Sequence, residues 1–342
     1  MRGLLTLGAL AYGGLVRARN AGYNTGVFRA WRLSCRVVCV GNLTVGGTGK
    51  TPTVMALANA ATAAGTRACI LLRGYGGAGG GVRVVSDGRT VQLGWREAGD
   101  EAVLLAERLP GVPVVVGGDR VAAGRLAIER FRPAVIFLDD GFQHRRIHRD
   151  ADLVLLDATD PFGGGRLLPR GRLREPITAL RRARAFLVTR ADQGQDLEAL
   201  RRQVEGIAAG RPIGFAVFRP VRLREQAGTR EWPVTELRGK RVVAVSGIAN
   251  PKSFRRTVSD LGAVVVGSLE FGDHHAFTAE ERGRMAEVAR REGAQWIVTT
   301  EKDTVRLGTQ TPAECPVVAV AVELEIIDGA EAVEAALGVP VR

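Results

Sequence analysis

The sequence predicts an α/β protein built on parallel sheet covered by helices on both faces. Three observations carry that reading. Apolar runs of about five residues alternate with helical patterns, the mark of strands buried on both sides. A glycine-rich turn ending in Lys50-Thr51 lies between one such strand and one such helix. A polar stretch at 219–238, holding Pro220 and Pro233, separates two α/β alternations.

The elements follow in order. Leu4 to Val16 is almost wholly apolar or glycine, and Arg17, Arg19, Arg29, Arg32 and Arg36 come next with Phe28 and Trp31 among them. This run is too short to span a bilayer and suits a helix lying in a membrane interface, so residues 1–30 are assigned to a membrane-associated helix. Arg2 plus an apolar run also imitates a secretory signal, but a nucleotide motif begins about 25 residues later and argues against export. A helix packed on its own domain is the plainer alternative.

Strands are expected at 36–40, 68–72, 113–116, 134–138, 152–156, 185–189 and 213–218. Helices are expected at 50–64, 99–108 and 119–130. Together they make a three-layer α/β/α core over 31–218. Residues 219–238 read as a linker or ribbon. A smaller α/β unit over 239–342 has strands at 241–245, 296–300 and 317–320. One of its helices opens at Pro251, where a first turn tolerates proline, and stops at Gly262. Another is announced by Thr278 and Glu281, a capping-box pair.

Composition bounds the function. The 342 residues are enough for two domains with real cores. Hydrophobic residues at 46% and charged residues at 25% exclude wholesale disorder. Four cysteines, with three residues between Cys35 and Cys39, form neither a disulfide framework nor zinc-knuckle spacing. A net charge of +12 points to an anionic partner: nucleic acid, phosphorylated lipid or an acidic membrane face. Aromatics at 5% advertise no platform for single-strand stacking.

The chemistry centres on Thr44-Val45-Gly46-Gly47-Thr48-Gly49-Lys50-Thr51. It sits between strand and helix, as a P-loop NTPase-like core requires. Its glycines let backbone N–H groups turn toward phosphate oxygens. Lys50 would reach the β- and γ-phosphates of ATP, and Thr51 would ligate Mg²⁺. Thr44 stands where the generic motif has glycine, so Gly46 and Gly47 must supply the turn. The strand at 134–138 ends in Asp139 and Asp140, where such a fold holds Mg²⁺.

Other groups are weaker alone. Gln143 and His144 follow at the carboxyl end of the same strand, where α/β sites form. His144 and His148, four apart, lack a third zinc ligand. Asp100 opens a predicted helix and could be no more than a dipole partner. His274 lies beside Asp273 between a strand and a capped helix, and a histidine next to a carboxylate can manage a proton. The loop 163–176 carries Arg166 and Arg172, and Arg73 follows a strand. Arg73, Gln143, His144, Arg166 and Arg172 are the candidate contacts to an anionic substrate. Thr300 to Asp303 also ends a strand and receives no role.

Seven stretches resemble one family in its own order: GNLTVGGTGKTP at 41–52, LLRGYGG at 71–77, GDE at 99–101, LDDGFQHRR at 138–146, GRLLPRGRLREP at 165–176, FGDHHAFT at 271–278 and TTEKDTVRL at 299–307. The family is tetraacyldisaccharide 4′-kinase, the lipid A kinase. Thr44 is usual there, whereas Gly272 and Ala276 stand where prolines are expected. The resemblance implies transfer of the ATP γ-phosphoryl group to the 4′-hydroxyl of an acylated glucosamine disaccharide 1-phosphate, giving the lipid IVA precursor of lipopolysaccharide. It implies a dyad in which Asp100 is the base on the sugar hydroxyl and His274 orients it or raises its basicity, with Thr51, Asp139 and Asp140 serving Mg²⁺. It also implies two α/β/α domains joined by a β-ribbon. An N-terminal helix would sit on the cytoplasmic face of the bacterial inner membrane.

Two rivals remain at this point. A membrane-associated switch ATPase of the deviant P-loop type would carry a signature lysine where this chain has Val45. A nucleic-acid-binding protein rests on charge alone, and no specific nucleic acid is expected.

Overall fold

The computed structural model describes residues 2–226, 230–308 and 315–342. The first half comprises helix α1 (Arg2–Asn24), β1 (Arg36–Asn42), α2 (Lys50–Ala63), β2 (Ala68–Leu72), β3 (Arg83–Ser86), α3 (Trp95–Ala98), α4 (Asp100–Arg108), β4 (Val114–Val116), α5 (Arg120–Phe131), β5 (Val135–Asp139), β6 (Ala151–Asp157), β7 (Ala185–Thr189) and α6 (Leu197–Ile207). It continues through β8 (Ile213–Glu225) and β9 (Glu231–Pro233) to β10 (Arg241–Ser246), α7 (Pro251–Asp260), β11 (Val264–Glu270), α8 (Ala279–Arg291), β12 (Trp296–Thr300), α9 (Glu301–Leu307), β13 (Val317–Asp328) and α10 (Ala330–Leu337).

The strands form one mixed sheet in the order β11-β10-β12-β13-β8-β7-β6-β1-β5-β2-β4-β3, with β9 beside β8. The expected apolar runs account for it. β2, β4, β5 and β7 are buried at every residue. In β1, Val38 and Val40 join one core while Val37 and Cys39 join another, so each face of the sheet has its own helical cover. Val242 and Ala244 against Val243 and Val245 repeat this alternation in β10.

The ribbon differs from its expected place. It consists of β8 and β13, paired antiparallel from Phe215↔Asp328 to Glu225↔Val318. The strand expected at 317–320 therefore runs on to Asp328. Its later half alternates, with Glu323 and Glu325 outside Leu324 and Ile326, because the ribbon is only half covered there. The 219–238 stretch supplies the end of β8, then β9 and a short 3₁₀ turn. α10 does not stay with the second half: Ala330, Val333 and Leu337 are buried in the core around β1 and β5. Helices α3, α6, α9 and α10 and strand β3 have no counterpart among the expected elements.

Capping follows local chemistry. Asp119 accepts from the amides of Val121 and Ala122 at the start of α5. Asn250 caps α7 ahead of Pro251, and the Thr278–Glu281 capping box opens α8. α1 reaches Asn24. Gly13 and Val16 of its inner side are buried, Tyr12 Oη donates to Arg174 O at 2.8 Å, and Asn20 Nδ2 donates to Glu175 Oε2 at 2.6 Å. Its outer side bares Leu4, Leu7, Leu10 and Leu15. No helix among the described residues is long and apolar enough to cross a membrane.

Candidate active site

The loop between β1 and α2 makes the phosphate cradle. Gly46 and Gly49 take positive φ, 114° and 84°. A Cβ on Gly49 would lie 2.1 Å from Phe218 Cζ, so both backbone shape and space require glycine. Gly47 keeps ordinary φ, so the turn is made by Gly46 and Gly49. Thr44 is buried and bridges Leu173, and Val45 N donates to Arg172 O at 2.8 Å. Arg190 donates to Gly47 O at 3.1 Å from both terminal nitrogens, and Thr189 Oγ1 donates to Thr48 O at 3.0 Å. The loop is thus braced from β7 and from the basic loop.

Lys50 and Thr51 open α2 beneath the end of β5. Thr51 Oγ1 donates to Asp139 Oδ2 at 3.2 Å. The other oxygen of Asp139 is buried without a hydrogen-bond partner. Burial, with Glu101 nearby, pushes the Asp139 carboxyl up to about 7. Asp140 sits at φ 52° and turns to cations: Arg174 Nη1 lies 2.7 Å from Oδ1 and 2.9 Å from Oδ2, and Lys50 Nζ lies 3.7 Å from Oδ1. Burial alone would raise the Asp140 carboxyl, but Lys50 and Arg174 outweigh it and hold it low. Arg73, Tyr75, Glu101, Asp139 and Asp140 line one small cavity at these strand ends.

A second constellation completes the site from the other half of the chain. Asp100, 3% exposed, is the first residue of α4 after Gly99. Both its oxygens lie 3.0 Å from His274 Nδ1, and Arg306 Nε lies 3.3 Å from Oδ2. Burial would raise the Asp100 carboxyl, but the His274 hydrogen bond and the charge of Lys302 reverse the sign and lower it. The hydrogen bond to Asp100 raises the His274 pKa, against burial and Lys302. His274 itself sits at φ 59°, a left-handed position that aims the ring out of its loop.

The expected substrate contacts scatter. Arg73 Nη1 donates to Tyr75 Oη at 3.0 Å at the mouth of the cavity. Gln143 Nε2 donates to Asn42 O at 3.0 Å, and its carbonyl accepts from Arg19 of α1. His144 is half-buried among arginines, and burial with Arg120 and Arg149 pushes its pKa down to about 4. Arg172 donates to Val45 O at 2.9 Å and pairs with Asp160 at 3.0 Å, so it touches the phosphate loop. Arg166 is exposed at the start of a loop whose Leu167 and Pro169 lie against Gly13 and Gly8 of α1. Among the described residues no three His, Cys, Asp or Glu side chains are grouped to hold a metal ion, so His144 and His148 gain no third ligand of that kind.

Several residues at the site escaped the sequence reading. Arg174 was indistinguishable from its neighbours in an arginine-rich loop. Lys302 and Arg306 sit on α9, whose packing against α4 no spacing reveals. Arg306 is 1% exposed and bridges Asp100 to Asp303 and to Gly247 O. Asp303 in turn accepts from Thr300 Oγ1 at 2.6 Å and from Gly247 N at 3.1 Å.

Comparison with known proteins bears on the family and the fold. The family described as tetraacyldisaccharide-1-P 4′-kinase, LpxK, matches residues 1–339. A tetraacyldisaccharide 4′-kinase of Anaeromyxobacter sp. (strain K) is 46% identical over 323 residues, covering 93% of this chain and 85% of that protein. One from Syntrophus aciditrophicus (strain SB) is 42% identical over 332 residues, covering 94% and 89%. The crystal structure of LpxK from Aquifex aeolicus in complex with ATP superposes with a TM-score of 0.80 at 33% identity, covering 98% of each chain. With the match running from the apolar N-terminus to the last strand and helix, the chain belongs to the tetraacyldisaccharide 4′-kinase family.

Proposed function

We propose that this chain phosphorylates the 4′-hydroxyl of a tetraacylated glucosamine disaccharide 1-phosphate with ATP, using Asp100 as the base. The observation that carries the reading is the Asp100–His274 contact beside the phosphate loop. A switch ATPase that only binds partners has no use for a buried carboxylate aimed at a second nucleophile.

The residues divide the work. The amides of 46–51 and Lys50 would bind the triphosphate. A buried carboxylate oxygen without a partner, next to a hydroxyl and a strand-end aspartate, fits a hard cation, so Thr51 and Asp139 would hold Mg²⁺ with Asp140 beside them. Bound Mg²⁺ supplies charge neutralisation on the phosphate oxygens. Asp100 takes the 4′-hydroxyl proton as the sugar oxygen bonds to the γ-phosphorus, and the bond to the ADP oxygen breaks. His274 holds Asp100 in place. Arg172 and Arg190 keep the loop closed on its ligand, and Arg174 keeps Asp140 ionised and oriented.

The acyl chains have a matching surface. Leu4, Leu7, Leu10 and Leu15 face outward on α1, whose inner side contacts Arg174, Glu175 and Gln143. A helix lying in the cytoplasmic leaflet of the inner membrane would present a lipid headgroup directly to the site. The test is incubation with γ-labelled ATP, Mg²⁺ and the disaccharide 1-phosphate, then location of the label. Label on the sugar 4′-oxygen is expected. ATP hydrolysis with every glycolipid unlabelled would favour the switch ATPase and end this reading.

A further inference from the structure

Lys302 Nζ lies 3.2 Å from Glu101 Oε1, 3.3 Å from Asp273 Oδ1 and 3.2 Å from His274 Nε2. An ammonium has three N–H donors and no acceptor. Where Lys302 donates in all three, Nε2 of His274 is the acceptor and carries no proton, although Asp273 Oδ2 also lies 3.8 Å from it. The ring proton then lies on Nδ1 and is donated to Asp100.

We propose that Lys302 is a positioning residue of the kinase site, which biases His274 toward the neutral, Nδ1-protonated imidazole. The inference rests on Asp100 being the base. The charged groups facing the ring are Asp100 from α4, Asp273 from its own loop and Lys302 from α9, with Glu101 and Arg306 behind them. The two carboxylates favour an imidazolium, and Lys302 opposes it. A proton on Nε2 would set N–H against N–H at 3.2 Å, so the imidazolium and the Lys302 contact exclude each other. A neutral ring donates one moderate hydrogen bond to Asp100. An imidazolium would donate a stronger one and make Asp100 a poorer base. Lys302 also spans from the second half of the chain to Glu101 on α4, so its contact forms only when α9 is seated on α4.

The experiment is ¹⁵N NMR of the full chain labelled at its four histidines, with His274→Gln to assign the ring, alongside pH profiles of kcat/KM. Above its titration, His274 should show the Nδ1–H tautomer. Lys302→Met should raise the proton affinity of His274 about tenfold, since one opposing charge is gone. It should move the acid limb of kcat/KM to higher pH by the same factor, with KM for ATP within about twofold. Lys302→Arg keeps a cationic donor and should retain most of the wild-type profile. Lys302→Gln serves if the methionine variant folds poorly. An Nε2–H tautomer in the wild type, or a His274 titration unmoved by both neutral substitutions, overturns the proposal. So does a large rise in KM for ATP or glycolipid with an unmoved pH profile, which would make Lys302 a ligand contact. Failure of the underlying reading looks different: Asp100→Asn would then turn over like wild type.

Discussion

His274 Nδ1 stands 3.0 Å from both carboxylate oxygens of Asp100, although 174 residues separate the two in the chain. One belongs to the first turn of α4, packed on the phosphate-loop core. The other comes from the loop before α8. With Asp100 as the proposed base, the contact would make proton removal depend on the two halves being closed. Closure of this kind excludes water that would otherwise take the phosphoryl group. Asp100→Asn should lower kcat at least about a hundredfold with KM for ATP nearly unchanged, the scale of a lost general base. Steady-state kinetics with labelled ATP reads both, and an unchanged kcat removes Asp100 from the chemistry.

In the proposed site Lys50 and Asp139 serve the nucleotide rather than the sugar. Lys50→Ala and Asp139→Ala should each lower kcat at least about a hundredfold. Asp139→Asn should in addition raise the Mg²⁺ concentration giving half-maximal rate, because the unpartnered oxygen is replaced by a weaker or wrongly polarised group. Thr51→Ala should do the same more mildly. A Mg²⁺ dependence identical in all three proteins would place the metal elsewhere.

Arg172 donates to Val45 O, and its own carbonyl accepts from Val45 N, so it fastens the phosphate loop twice. Only the side-chain bond is lost in Arg172→Ala. The expected result is a severalfold rise in KM for ATP with a smaller effect on kcat, checked by nucleotide titration. A rise confined to the KM of the glycolipid would return Arg172 to the substrate.

Leu7 and Leu10 of α1 are 65% and 64% exposed, so charging them costs the fold little. Leu7→Asp with Leu10→Asp should weaken partition onto vesicles of inner-membrane lipids and leave ATP binding intact. Co-sedimentation measures the first and a fluorescent nucleotide the second. Unchanged partition would leave α1 as a packing helix alone.

His144 is held neutral because burial comes first, and then Arg120 and Arg149 oppose its charge. Its folded pKa of about 4 lies below the unfolded value near 6.5. Between those two values the unfolded chain binds the extra proton, so stability falls as pH falls through that window. His144→Gln should flatten this loss, read as the change in melting temperature from pH 7 to pH 4. An equal loss in both proteins would mean that His144 titrates normally.

The parts of the site that are contiguous were readable before any fold. Gly46 to Thr51 form a cradle because glycine torsions and a helix start are local properties. Asp139 and Asp140 were placed by an apolar strand that ends in charge. The strands buried on both faces declared themselves in the same way. The later half of β13 did not, because an exposed ribbon is alternating and charged. α9 lies inside the TTEKDTVRL stretch at 299–307, which marked the family but gave no helix, role or packing partner.

From its residues alone this chain determined its kind: a phosphate loop, a largely parallel sheet covered on both faces and the motif order of a lipid A kinase. The loop and the strands depend on neighbours within a few residues, where torsional preference and hydrophobic period act, whereas the motif order is a resemblance carried along the whole chain. Only the tertiary structure decided which arginine meets Asp140, which face of α1 is bare and that Lys302 touches His274. Those outcomes come from α9 seating on α4 and from the basic loop folding over the phosphate loop. These contacts join positions from 28 residues apart, for Lys302 and His274, to 201 apart, for Lys302 and Glu101; they are set by how the whole core packs, and no spacing along the chain encodes them.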